Sequence, residues 1–140
     1  MIWKKPFSLD EINQYFGINM TKHLDIRASE ITDNSIKATM PITEKVLQPF
    51  GILHGGASVV LAESVGSIAS ALVVDTEKYN VVGMEVNANH LRPGKQGSTL
   101  EATCTPIHLG RTTHVWDIKI HDEKNKLICI SRLTVAVVKK

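Results

Sequence analysis

Residues 55–74 read GGASVVLAESVGSIASALVV, and their reading decides the fold. A run of about 20 residues exceeds any common strand, and no proline interrupts it, so it predicts one long helix. Val59, Val60, Leu61, Val65, Ile68, Leu72 and Val73 fall on nearly all faces of such a helix. A helix apolar all round is surrounded and does not lie on a surface. Glu63 stands in its middle, with Ser58, Ser64, Ser67 and Ser70 along its length. A lone carboxylate at bilayer depth is costly, so the letters predict a helix inside a protein core with one face kept polar for a purpose.

The rest of the chain supplies what surrounds it. Ser8-Leu9-Asp10-Glu11 has the form of a capping box, and Leu9, Ile12 and Phe16 recur at helical spacing, which predicts a short leading helix ending near Gly17. Residues 23–31 and 35–41 read as extended runs joined by the turn pair Asp33-Asn34, a first hairpin. Pro49 and Gly51 make residues 43–53 a loop. After a second loop at 75–80, strands are predicted at 81–91, 98–108, 112–121 and 126–138. The breaks between these four are short, so the strands are antiparallel neighbours. His114, Trp116, Ile118 and Ile120 alternate with polar or smaller partners, which gives one core-facing side. One buried helix and an antiparallel sheet large enough to wrap it make an α+β arrangement, best matched by the hotdog fold. Such a sheet leaves part of its helix bare in a lone subunit, so a homodimer is expected, with pairing of dimers into a tetramer.

Composition narrows the function. A chain of 140 residues, 43% hydrophobic and 21% charged, is expected to form a single domain over 1–140. The formal net charge of +2 comes from scattered basic residues and not from the dense stripe that nucleic-acid binding requires. Arg92, Lys95 and Arg111 still suit a ligand carrying phosphates. Cys104 and Cys129 have neither CxxC spacing nor neighbouring ligands, so no metal and no disulfide is expected. Residues 1–7 carry two lysines without the apolar run of a signal peptide, which leads to the expectation of a cytoplasmic protein with no membrane partner.

The chemistry concentrates at Gln48, His54, Gly55, Glu63 and Ser67. The first amides of a helix have no partner within it, and with the macrodipole they favour negative charge. Gly55 has no side chain to block a ligand, so its N–H suits the oxygen of a thioester carbonyl as it becomes an oxyanion. Glu63 lies eight residues further on, about 12 Å along a helix axis. One chain cannot bring both to one carbonyl, whereas two antiparallel helices in a twofold dimer can. Ser67 shares the face of Glu63, where a hydroxyl orients a water or the carboxylate, and Gln48 is a candidate to polarise the carbonyl or hold the attacking water.

At these residues the chain resembles the hotdog thioesterase family that includes 1,4-dihydroxy-2-naphthoyl-coenzyme A thioesterase of menaquinone biosynthesis, the proofreading thioesterase of enterobactin synthesis and one class of 4-hydroxybenzoyl-coenzyme A thioesterase. The resemblance runs from Met1-Ile2-Trp3-Lys4 through Ala38-Thr39-Met40-Pro41, residues 48–56 and Leu61-Ala62-Glu63 to residues 87–92 and Ser131-Arg132-Leu133-Thr134. It implies hydrolysis of an aromatic acyl-coenzyme A without a cofactor, Glu63 as base or nucleophile, Gly55 as oxyanion donor, and Gln48, His54 and Ser67 as assistants. It also implies that Gly83, the run His90, Leu91, Arg92, Pro93 and the run His108, Leu109, Gly110, Arg111, Thr112, Thr113 contact the pantetheine arm and nucleotide. Two other readings compete: a hotdog hydratase or dehydratase, against which no His-Phe-Pro segment is present, and a non-catalytic domain that binds acyl-coenzyme A.

Overall fold

The computed structural model describes residues 1–140. Helix α1 spans Leu9–Phe16 and a one-turn helix α2 spans Asn19–His23; strands β1 (Arg27–Ile31) and β2 (Ile36–Pro41) follow, then helix α3 (Gly55–Val73). Strands β3 (Tyr79–His90), β4 (Thr99–Leu109), β5 (Thr113–His121) and β6 (Leu127–Lys139) complete the chain. They form one six-stranded sheet in the order β1-β2-β4-β5-β6-β3, antiparallel at every step. This is the expected α+β hotdog architecture. Two details differ from the sequence reading: residues 19–23 form a helical turn, so the first strand begins at Arg27, and the 43–53 loop contains a 3₁₀ turn at Glu44–Val46. Both pieces are too short to carry a periodic signal.

Helix α3 packs against every strand from β2 to β6. Five strands span roughly 19 Å at their usual spacing, about twice a helix diameter, so the sheet has to curl around the helix to reach it. Leu61, Ala62, Val65, Ala69 and Leu72 turn inward against Met40, Leu100, Ile118, Ile120 and Leu133, all fully or almost fully buried. At Gly66 the approach is closest: a Cβ there would stand 2.5 Å from Leu133 Cδ2. Burial of each large aliphatic side chain contributes roughly 1.5–3 kcal/mol. By length and a mean hydropathy of 1.6 this helix also has what crossing a membrane requires, but half of that window is packed inside the protein.

As expected of a lone subunit, the sheet leaves one face of α3 bare. Val59, Val60, Glu63, Ser64, Ser67 and Ile68 stay partly exposed, because the same chain reaches that face only at its margins, through α2 and β3. The sheet edges differ in the same way. Edge strand β1 is closed by α1, whose Asn13 side chain donates to Ala28 O (3.1 Å) and accepts from Ala28 N (2.8 Å) as a neighbouring strand would. The twelve-residue β3, at the other edge, is paired on one side only. The carboxyl end of α3 is tied down by the amino-terminal segment, with Lys4 N–H donating to Leu72 O (2.9 Å) and Trp3 stacked on Trp116 at 6.4 Å.

Two buried polar side chains bear on stability, Ser70 with a partner and His114 without one at its Nδ1. Trp116 Nε1 donates to Ser70 Oγ across 2.7 Å, wholly inside the core. Ser70→Ala leaves that indole N–H without a partner and is expected to lower the unfolding free energy by ~1–3 kcal/mol, read as a fall in the urea midpoint with an unchanged m-value. His114 is 2% exposed, and burial, with a smaller contribution from His108, holds its pKa below the ordinary 6.5. The unfolded chain takes up this proton before the folded one does, so stability is complete above pH 6.5 and declines as pH falls through that value toward the folded pKa. In His114→Phe, urea titrations at several pH values between about 7 and 5 are expected to lose that part of the slope.

Candidate active site

The start of α3 is built so that one amide is left over. His54 occupies the N-cap with an extended backbone, and its Nδ1 accepts from Gly56 N–H at 2.8 Å. That bond occupies Nδ1 and leaves Nε2 as the ring nitrogen without a partner in the chain. Ala57 N–H goes back to His54 O (3.0 Å), while Gly55 N–H has no partner in the chain. The His90 imidazole stands against residue 55: a Cβ there would lie 2.7 Å from His90 Nε2. The preceding loop is folded onto the same place. His54 N–H donates to Val46 O, Leu53 N–H to Gly94 O and Gln48 N–H to Ile52 O. The Gln48 side-chain oxygen accepts from Phe50 N–H, and its NH₂ group has no hydrogen-bond partner in the chain. Gln48, Gly55, His90, Leu91, Arg92 and Pro93 thus line one cleft of about 480 Å³.

Glu63 and Ser67 line a different one. This cleft, about 350 Å³, lies on the bare face of α3 between Val60, Ile68 and the α2 residues Met20 and Thr21. The carboxylate rests on Gly83 of β3, where a Cβ would come within 2.6 Å of Glu63 Oε1. A register shift between Gly83 and Glu85 bends β3 at this point. Glu63 is half-buried and takes part in none of the ion pairs of the chain, which engage Glu11, Asp25, Glu30, Asp75, Glu101 and Asp117. A carboxylate free of cations, beside apolar walls and a serine, is equipped to accept a proton or to attack.

The residues expected to bind substrate divide the same way. Residues 90–93 sit with Gly55. Gly83 is not beside them; it supports the carboxylate. The run from His108 to Thr113 forms the β4–β5 turn, where Thr113 pairs with Ala136 and Ala136 with Val82. It therefore lies about 10 Å across the sheet from β3, in the row next to Gly83, and apart from residues 90–93. Arg92 donates to Leu127 O at 2.8 Å, whereas Arg111 stands exposed at the far turn. Met20, Thr21, Ser58 and Ser64 were not singled out by the sequence reading. Ser58 and Ser64 are legible in hindsight from helical spacing, three residues after Gly55 and three before Ser67. Met20 and Thr21 gave no signal, because α2 is a single turn.

The chain was compared with known proteins. A model of the thioesterase superfamily matches residues 50–129. The 1,4-dihydroxy-2-naphthoyl-CoA hydrolase of Escherichia coli is 50% identical over 137 residues, covering 98% of this chain and 99% of the relative. The proofreading thioesterase EntH of Cronobacter turicensis is 42% identical, with 98% of both chains covered. A crystal structure of a mutant of thioesterase PA1618 from Pseudomonas aeruginosa matches with a TM-score of 0.96 at 48% identity over the whole of both chains. These likenesses extend through both clefts, and the chain belongs to the hotdog-fold thioesterase superfamily and is a thioester hydrolase.

Proposed function

We propose that this protein hydrolyses an aromatic acyl-coenzyme A, of the 1,4-dihydroxy-2-naphthoyl kind, to the free acid and coenzyme A at a site shared by two copies of the chain. The observation that carries the reading is the pair of incomplete clefts: a free amide at Gly55 in one and a free carboxylate at Glu63 in the other, about 12 Å apart along α3. A twofold pairing with antiparallel α3 helices brings each amide to the carboxylate of the second copy. Edge strand β3 supports that pairing. It is long, and Val82 and Met84 are 54% and 66% exposed beside the bare helix face. An unprotected apolar edge of this kind is covered by another strand. Dimers then associate as a tetramer. The choice of an aromatic acyl group rests on the naphthoyl-CoA hydrolase among the relatives and on the apolar wall of Val60, Ile68 and Met20 around Glu63.

In this site the thioester carbonyl oxygen takes the Gly55 N–H, with the Gln48 amide as a second donor, so that charge developing on oxygen meets fixed dipoles and the positive end of α3. His54 holds the first turn in the shape that leaves Gly55 free. Glu63 of the second copy either removes a proton from water, which adds to the carbonyl carbon and expels the coenzyme A thiolate, or attacks that carbon itself and expels the thiolate to give a mixed anhydride that water then opens. Ser67, one turn beyond on the same face, orients that carboxylate or its water.

Glu63→Gln is expected to lower kcat on aryl-coenzyme A thioesters by ~10²-fold or more while the protein stays folded, with release of thiol as the readout. Unchanged turnover would remove Glu63 from the chemistry. Gly83→Ala places a methyl against the carboxylate, whose free end gives way, so folding is expected to survive and kcat to fall roughly 10- to 100-fold. Mixing inactive Glu63→Gln with inactive Gln48→Ala and allowing subunits to exchange is expected to restore about a quarter of wild-type activity, because one of the two sites in each mixed dimer is intact. A site contained in one chain would restore none.

A further inference from the structure

Ser58 is a polar side chain that the chemistry above does not use. It is 0% exposed, and its Oγ has no hydrogen-bond partner in the chain. Among buried side-chain atoms only Ser58 Oγ and His114 Nδ1 are in this position. A serine inside a helix can return its hydroxyl to a carbonyl three or four residues back, here Gly55 O or His54 O, and Ser58 makes neither bond. A buried hydroxyl without a partner lowers stability, and alanine fits a helix interior better than serine. At this position the hydroxyl therefore opposes folding, and its use has to lie outside packing.

Ser58 follows Gly55 by three residues, on the same face of α3, and lines the Gly55 cleft. The other polar side chains of that cleft are Gln48, His90 and Arg92. Gln48 accepts from Phe50 N–H and Arg92 donates to Leu127 O, whereas the His90 imidazole makes no hydrogen bond in the chain. The ring is exposed on its outer side, and its Nε2 lies 2.7 Å from where a Cβ on Gly55 would stand. Cβ positions three residues apart on a helix are about 5–6 Å apart, so the untethered ring and the unpaired hydroxyl are neighbours across one helical turn. We infer that Ser58 is a positioning residue: its hydroxyl donates to the His90 imidazole in the substrate-loaded cleft and holds that ring against Gly55. The carbonyl oxygen then meets the Gly55 N–H beside a fixed wall and not beside water, which leaves the amide dipole unscreened. The inference rests on the thioesterase reading above and adds to it a residue that touches no reacting atom.

Ser58→Ala removes the hydroxyl and little else. It is expected to raise Tm by ~2–4 °C while lowering kcat on an aryl-coenzyme A thioester about 10-fold, with KM within about twofold. A serine that serves packing alone does not give a gain of stability together with a loss of kcat. Ser58→Cys keeps the shape of the side chain with a much weaker donor, and a fall in kcat of similar size is expected. His90→Ala removes the partner, so in Ser58→Ala/His90→Ala kcat is expected to fall no further than in His90→Ala alone. Unchanged kcat in Ser58→Ala overturns the inference, and so does a fall of kcat and Tm together. An additive loss in the double variant also overturns it, because the hydroxyl then acts without the imidazole. Glu63→Gln is assayed alongside: turnover equal to wild type in that variant removes the thioesterase reading, whereas an inactive Glu63→Gln beside a fully active Ser58→Ala removes only the role of the serine.

Discussion

The structure depends on one constraint: α3 is buried by the sheet from one side only. An interior helix normally gives up all its faces to packing, and its ends are closed by caps. Here the inner face is packed down to a glycine contact at Gly66, and the outer face keeps a carboxylate and two serines beside three aliphatic side chains. The same asymmetry appears at the helix start, where the cap residue His54 takes one amide and leaves its neighbour, and at the sheet, where one edge is closed by Asn13 and the other is open. Each unsatisfied feature lies where a second copy or a substrate can satisfy it. They are consistent with one another, which is the usual sign that departures from a closed fold are selected and not accidental.

Much of this was legible in the letters. The length and apolarity of residues 55–74 gave the central helix, the two-residue alternation in 112–121 gave the core side of β5, and the short breaks gave antiparallel order. The separation of Gly55 and Glu63 followed from helix rise alone, and the structure places them in separate clefts. What the sequence hid depends on contacts distant along the chain. That part of α3 stays bare in one chain was expected, but which face it is was hidden, because letters do not say which neighbour covers which face. That Gly83 supports Glu63, and that His90 occupies the space a side chain at Gly55 would need, are facts of β3 meeting α3. Nor does any local pattern bring the β5–β6 turn beside Arg92; the backbone bonds from Leu91 and Arg92 to Ile128 do that.

The division of labour between cleft residues also clarifies the polar side chains that look catalytic. His54 and His90 are both near Gly55, yet the first is spent on the cap and the second on covering the glycine. Neither has a carboxylate partner in the chain, unlike the His and carboxylate pair that proton transfer at carbon requires. The arrangement thus favours acyl transfer to water over addition or loss of water across a carbon–carbon bond.

In the proposed dimer, the bulge between Gly83 and Glu85 has a consequence for how two copies find their phase. Two identical strands joined by a twofold axis slide past each other only in steps of two residues, about 7 Å, if their side chains are to keep facing the same way. One wrong step would leave the attacking group and its target further apart than two hydrogen bonds laid end to end. A regular strand offers several such settings of nearly equal energy, and an irregularity at a fixed place makes them unequal. Under the proposed pairing, the kink in β3 is in this sense a vernier mark, lying against Glu63.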